Sequence, residues 1–557
     1  MSITTSVPAP VAVSGLSPYV GPWGREQAAH LLRRTLFGPK KEELIEAVSM
    51  GLTGTLDQLL AAPTQPSPPV NHFYTLDPNV PIGATWINAP HVAGADVGQY
   101  RSPGLRGWYW QNLLHHDFNI MARMTMFWIN HFGMSDVGEH RAEYISLQLF
   151  NEFGTDNFQR MVEKMTVNPG MLRFLNGEYN NKWSPNENYA RELFELFTIQ
   201  KGPQIAPEDY THYTEDDIRA AARLLTGWRN RGIWSETEGT VESWFDPNFH
   251  DTDPKQFSYR FDEVVIHNEN NPEEEYKELI AIIFSKMETA RAICREIYRF
   301  FIYYKIDDTI ESTVIEPLAT VLFNEGYDLQ PTLRVLFSSQ HFYDMAVRGP
   351  LIKSPYEFTV SMARPLGGFS HLGLDLSDNT ASNPLLRSCY NLGASHHWRN
   401  YVMDMDFLYP PTVAGWKAYY QTPGYYRNWI GSATLKQRKS LVDSYTGAGI
   451  WTESEIEGEY EPRPFDYFGF VANLEVPNDP NELVAESAQI FLPRELHEDQ
   501  LEGLKQQLIP DLPDSEWTRQ YEDYLANPFN PDVVNPVSNK LRAFFRSLFS
   551  MAEFNLM

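Results

Sequence analysis

The side chains best placed to do chemistry stand together on one stretch. Asn188, Arg191, Glu192 and Glu195 lie within Ser184-Pro185-Asn186-Glu187-Asn188-Tyr189-Ala190-Arg191-Glu192-Leu193-Phe194-Glu195-Leu196-Phe197. On a helix they form one polar stripe, opposite an apolar arc of Tyr189, Ala190, Leu193, Phe194, Leu196 and Phe197. Two carboxylates three apart repel unless a cation lies between them. If buried, they titrate as a coupled pair with one pKa raised, as a general acid requires. Glu192 and Glu195 are therefore candidates for acid/base work or for holding a divalent cation. Arg191 is a candidate anion clamp that can also pair with Glu195 four residues on. Asn188 opens the stripe as a candidate substrate contact. A solvated acidic face, or a buried ion network that joins helices, fits the same spacing, and the sequence leaves these readings open.

Three further groups carry chemical potential. His131 ends an apolar helical run with Met124, Met126, Phe127, Trp128 and Phe132, either as a catalytic support or as a hydrogen-bonded structural residue. His250 and Asp251 sit in Asp246-Pro247-Asn248-Phe249-His250-Asp251-Thr252-Asp253-Pro254-Lys255, a loop dense enough in carboxylates to suggest metal ligation, although it lacks the spacing of an EF-hand. Trp416 and Trp429 bracket Tyr419, Tyr420, Tyr425, Tyr426 and Arg427, which could wall a ligand or form a small core beneath a loop.

The elements that must position these groups are helices. Ser184 as N-cap, Pro185 at the first turn and Glu187 as the reciprocal cap predict a helix over 185–200 that stops before Gly202. Thr214 with Asp217 starts another, which ends at Gly227. Apolar periodicity predicts helices over 27–36, 40–50, 53–60, 108–131, 142–165, 273–304, 312–325, 329–345, 355–366 and 537–550. Residues 229–272 are expected to hold the few strands, and the Pro-rich stretch 63–104 reads as a long functional loop. The fold class is mainly α, a large multi-helix body with long irregular Pro-, Gly- and aromatic-rich loops and few strands. Residues 1–22 form a disordered lead, 23–366 a helical core with the polar site, and 367–557 an aromatic-rich irregular region with an acidic C-terminal segment packed on the core. Residues 333–342 echo 541–554, which would fit either a duplicated helical unit or two similar core helices.

Composition removes several classes. With 45 basic and 72 acidic residues the formal charge is −27, which argues against a nucleic-acid partner and is compatible with cation binding. Two distant cysteines, Cys294 and Cys389, make neither a zinc site nor a disulfide framework. There is no P-loop, dinucleotide glycine fingerprint, H-E-x-x-H or G-x-S-x-G. No apolar run is long enough to span a membrane, and the N-terminus lacks the basic and apolar regions of a signal peptide, so a cytoplasmic address is expected.

Taken in order, Phe127-Trp128-Ile129-Asn130-His131-Phe132, Asn186 to Phe197, Tyr213 to Trp228, His250-Asp251 and Pro410 to Trp416 resemble the bacterial "domain of unknown function 1800" family from about Ala28 onward. The resemblance implies a largely helical body and a neighbouring partner protein similar to the alkaline phosphatase and sulfatase superfamily. It brings no activity with it. Many members are exported, which this N-terminus does not match. The family's tryptophan is usually followed by His-x-His, and here Ile129 takes the first of those positions. The resulting expectation is an enzyme, hydrolase- or lyase-like and metal-assisted, acting on a hydroxyl-rich or saccharide substrate. Glu192, Glu195, Arg191 and His131 would be its catalytic residues, Trp416, Trp429 and Asn188 its substrate contacts, and His250 and Asp251 its metal ligands. The alternative is a non-catalytic scaffold whose buried ion network is structural.

Overall fold

Helix α1 (Arg25–Leu36) begins where the Gln27 carboxamide reaches back to the Gly24 amide at 3.2 Å, which satisfies a donor that the first turn leaves open. The structure, a computed structural model, describes residues 15–416 and 429–557. Next, α2 (Lys41–Leu59) bends at Gly51, whose φ of 70° divides it into the two short helices that the sequence predicts. A long irregular stretch leads to α3 (Gly98–His115), α4 (Met121–Phe132), α5 (His140–Phe153), α6 (Phe158–Thr166) and α7 (Pro169–Phe174). A short α8 (Asn188–Glu192) widens into a π-turn over Leu193–Phe197, and α9 (Glu215–Leu224) follows with the Thr214/Asp217 capping box in place.

The second half holds α10 (Glu275–Phe284), α11 (Met287–Phe301) and α12 (Asp308–Ile310). The last continues through a π-turn at Glu311–Ile315 into α13 (Glu316–Asn324), and then come α14 (Leu329–Phe337), α15 (Pro355–Ala363), α16 (Leu386–Tyr401) and α17 (Ser432–Thr446). The final five are α18 (Tyr467–Ala472), α19 (Pro480–Phe491), α20 (Glu498–Lys505), α21 (Asp514–Ala526) and α22 (Pro531–Ser550). Among the described residues the strands pair only as antiparallel hairpins: β1 (Gln204–Ala206) with β2 (Asp209–Tyr210), β3 (Trp228–Arg231) with β4 (Glu242–Phe245), β5 (Lys255–Gln256) with β6 (Val265–Ile266), and β7 (Ile450–Glu453) with β8 (Tyr460–Arg463). The protein is mainly α. A continuous apolar core runs through the body from Ala28 in α1 to Phe554 beyond α22.

The structure departs from expectation in several places, among them the hairpins β1–β2 and β7–β8, which lie outside residues 229–272. The helix after Ser184 starts at Asn188, because Asn181 Oδ1 accepts from the Trp183 and Ser184 amides and Asn186 Oδ1 from the Asn188 amide in side-chain turns. Residues 15–22, expected in a disordered lead, are docked: the Tyr19 amide donates to the Ser338 carbonyl at 2.8 Å and the Gln340 amide to Ser17 at 2.7 Å. Helix α16 lies within a region that reads as irregular. It packs on α3 at Gly107 and Gly393, where a Cβ on Gly393 would fall 2.3 Å from the Gly107 carbonyl oxygen. Backbone-to-backbone contact holds this helix, and hydrophobic periodicity does not reveal such a contact. Helices α18 to α21 also occupy the acidic stretch, each burying a narrow apolar edge such as Leu483 and Phe491 or Trp517 and Tyr521.

Candidate functional site

The polar stripe is built where α8 becomes a π-turn. Asn180, buried, donates to the Ala222 carbonyl at 2.8 Å and accepts from the Asn186 amide at 2.8 Å, and Asn186 in turn accepts from the Asn188 amide at 2.9 Å. This ladder of amides sets the start of α8 against the end of α9. The π-turn leaves the Phe197 carbonyl free to accept from His131 Nε2 at 3.2 Å.

Arg191 is shared among three carboxylates. It forks onto Glu215 at 3.0 and 2.8 Å, reaches Glu187 at 2.9 Å and lies 3.6 Å from Glu195. Glu187 therefore serves as an ion partner in place of the expected cap. Glu195 also accepts from Lys201 at 2.9 Å and from the Tyr213 hydroxyl at 2.6 Å. The hydrogen bonds from Arg191 hold Glu215 below the usual carboxylate range, and those same bonds raise Arg191. Glu192 stands apart. It makes no ion pair or hydrogen bond among the described residues, and its pKa is raised by partial burial and by the charge of Glu195. Asn188 is exposed.

His131 is buried, with Nδ1 2.6 Å from Glu296 and Nε2 on the Phe197 carbonyl. Glu296 also accepts from Gln200 at 3.4 Å, so His131 and Glu296 brace α4, α11 and the π-turn against one another. One residue earlier, Asn130 Oδ1 accepts from the Trp416 amide at 2.9 Å. At Gly133, φ is +53° and a Cβ would lie 2.1 Å from the Val413 carbonyl oxygen, so only glycine lets the 412–416 loop seat there. Trp416 and Trp429 are buried in the core, and Tyr419, Tyr420, Tyr425 and Tyr426 between them lie outside the described residues.

His250 and Asp251 point apart. His250 Nδ1 donates to the Thr226 carbonyl at 2.9 Å, and Nε2 faces the Lys255 ammonium at 3.4 Å. Lys255 is fully buried and pairs with Glu275 at 2.6 Å. Burial pulls Glu275 upward, but hydrogen bonds from His250 and Lys255 outweigh it and hold the carboxyl low. His250 Nε2 thus lies between the Glu275 carboxylate at 3.3 Å and the Lys255 ammonium at 3.4 Å, enclosed by a buried ion pair. Asp251 forks onto Arg223 at 2.7 and 3.2 Å. Among the described residues no three His, Cys, Asp or Glu side chains converge as metal ligands.

A separate cavity of about 570 Å³ opens between α3, α4, α5, the 63–67 segment and residues 375–377. Helix α3 contributes Trp108, Gln111, Asn112 and His115, and α5 contributes Tyr144, Leu147, Gln148 and Asn151, each set at i, i+3, i+4 and i+7. The Trp108 indole donates to the Ser67 carbonyl at 2.7 Å and Asn151 to Gln65 at 2.9 Å, which fixes the 63–67 wall. Burial lowers His115 to about 4, so it is neutral at pH 7. Asp375 is held low by hydrogen bonds from Ser377, against the upward pull of burial. Gln111 Oε1 and Asn112 Nδ2 have no hydrogen-bond partner among the described residues.

The family model described as "Protein of unknown function (DUF1800)" matches residues 30–555. The chain belongs to the DUF1800 family. No curated protein and no solved structure matches it. Three of the segments that carry the family likeness meet at the end of α4, where Asn130 and His131 hold the 412–416 loop and the π-turn. Sequence reasoning missed Glu215, Tyr213, Lys201 and Glu296 as partners of the stripe and of His131. It also missed the cavity, whose only signal was a polar-aromatic face repeated at helical spacing on α3 and α5.

Proposed function

We propose that this DUF1800 protein binds a hydroxyl-rich, saccharide-class ligand in the cavity between α3, α4 and α5. The observation that carries this reading is the chemistry of its walls. Trp108 and Tyr144 offer aromatic surface, and Gln65, Gln111, Asn112, Gln148 and Asn151 offer paired donors and acceptors. Neutral amides satisfy hydroxyl groups in both directions, while rings cover the apolar C–H faces of a sugar. A volume near 570 Å³ falls within the range of small-ligand sites. His115, lowered to about 4, and Asp375, held below its usual range, are both far from a base tuned to neutral pH, so the reading is one of binding.

Saturation-transfer NMR with a panel of mono- and disaccharides tests the reading, with Leu147→Trp as a variant that fills the cavity. Transfer to at least one sugar, lost in Leu147→Trp with an unchanged melting curve, is the expected result. Transfer that survives in that variant, or none from any sugar, overturns the assignment.

The Arg191 cluster favours a second reading for the stripe itself. Arg191 is saturated by Glu187, Glu195 and Glu215, so it has no free face for an anionic substrate, and the cluster acts as an ion network joining α8 to α9.

A further inference from the structure

Trp183 stands 70% exposed beside the start of α8, on a segment that is otherwise tightly held. Its amide and that of Ser184 donate to Asn181 Oδ1 at 3.1 and 3.3 Å. The Lys182 amide donates to the Phe249 carbonyl at 2.9 Å, which ties this segment to the loop after β4. Buried Asn180 anchors it to α9 from below. The indole is thus presented by a fixed backbone.

Phe249, also exposed, meets Trp183 edge to face, with centroids 5.6 Å apart and planes at 86°. The two rings form an open corner. Its floor is firm, because the Arg229 guanidinium lies 4.3 Å from the Phe249 centroid and donates to the carbonyls of Glu178, Asn180 and Trp228 at 3.0, 2.9 and 2.7 Å. The Lys182 ammonium lies over one face of the indole, 5.0 Å from its centroid, and the Ser184 side chain and the Asn248 amide, which donates to Asp246, are exposed next to the two rings. Leaving a rigid indole in water forgoes burial energy, and a ligand that covers it recovers that energy.

We propose that the Trp183–Phe249 corner is a surface binding platform for a neutral polysaccharide chain. A pyranose places its apolar C–H face on the indole and abuts Phe249, and its rim hydroxyls reach the Lys182 ammonium and the Asn248 amide. Two rings are too little surface for a stable protein interface, which needs on the order of 1,000 Å². A nucleic-acid strand could stack as well, but the net charge of −27 opposes its phosphates. The platform shares the ligand class proposed for the cavity and uses none of the cavity's residues, so each can fail alone.

Affinity electrophoresis of the full chain in native gels containing hydroxyethyl cellulose, xylan, laminarin or soluble starch tests the platform. Retardation by at least one polymer is expected, weakened about tenfold in Trp183→Ala and largely kept in Trp183→Phe. The cavity-filling Leu147→Trp should be retarded like wild type. No retardation in any of the four gels, or equal retardation of wild type and Trp183→Ala, overturns the proposal. Retardation by a single-stranded oligonucleotide, lost in Trp183→Ala, overturns it in favour of base stacking.

Discussion

Glu215 and Glu192 both lie near Arg191, yet the structure gives their removal opposite consequences. In Glu215→Gln two charge-assisted bonds to Arg191, at 3.0 and 2.8 Å, are weakened or lost. Such bonds contribute about 1.5–3 kcal/mol when buried and about 0–1 kcal/mol when exposed. The Arg191 and Glu215 side chains are 32% and 13% exposed, which places the loss near 2 kcal/mol. Glu215 is also the first residue of α9, where losing a negative charge costs roughly another 0.5 kcal/mol. A double-mutant cycle with Arg191→Met removes that second contribution and should leave a coupling of about 1–2 kcal/mol. Urea unfolding followed by tryptophan fluorescence provides the readout. The sign against pH follows from Glu215 having a folded pKa below its unfolded value. Its stabilisation is full above the unfolded pKa, near 4.3, and is lost as pH falls through the lower folded value. Glu192 has a raised folded pKa, so its ionised form is disfavoured in the fold at neutral pH. Glu192→Gln should therefore leave stability unchanged or increase it at pH 7. A Glu192→Gln loss as large as that of Glu215→Gln, or zero coupling between Arg191 and Glu215, would refute this account of the network.

His131→Phe keeps the bulk of the ring but leaves Glu296 and the Phe197 carbonyl without their buried donor. A loss of about 3 kcal/mol is expected in urea unfolding, with less for His131→Gln. Gly393→Ala drives a Cβ into the Gly107 backbone, which cannot move aside as a side chain would. The variant should lose more than about 3 kcal/mol or fail to accumulate in soluble form, as judged by yield and circular dichroism. Ligand affinity in the cavity should be flat from neutral pH down to about 5 and fall as His115 protonates near 4, measured by NMR titration.

Legibility in the sequence followed the range of the forces involved. Helix α9 was readable because Thr214, Asp217 and the apolar positions Ile218, Ala221 and Ala222 are local signals, and the fold keeps all of them. The start of α8 was misplaced by a few residues because Ser184 and Asn186 carry similar capping chemistry, and the choice between them is made by Asn180, which α9 holds. Helix α16 was invisible because its buried side chains reach the core only through a close approach to α3 that Gly393 and Gly107 permit. The stripe was legible as a stripe, but its partners Glu215, Tyr213 and Lys201 come from outside its helix. The cavity was hidden because Gln111, Asn112, Gln148 and Asn151 read as solvent-facing positions of two amphipathic helices. Only the packing of α3 against α5, with the 63–67 segment laid across, makes those faces the walls of an open cavity, with Gln148 still exposed at its mouth.

The end of α4 sharpens what His131 does. A catalytic or metal-binding imidazole needs one nitrogen free for substrate or ion, and both nitrogens of His131 are engaged, by Glu296 and by the Phe197 carbonyl. The position two residues before it, where the family's tryptophan is usually followed by its first histidine, is held by Ile129, which is buried in the core. Asn130 between them faces the opposite task of anchoring the Trp416 amide. Three consecutive residues thus send one side chain into the core, one to the 412–416 loop and one to the π-turn. An arrangement of this kind transmits position: displacing His131 would release the Phe197 carbonyl, loosen the π-turn and shift Arg191, Glu192 and Glu195 together. In this structure both His131 nitrogens are engaged, and the residue braces the π-turn beneath the stripe.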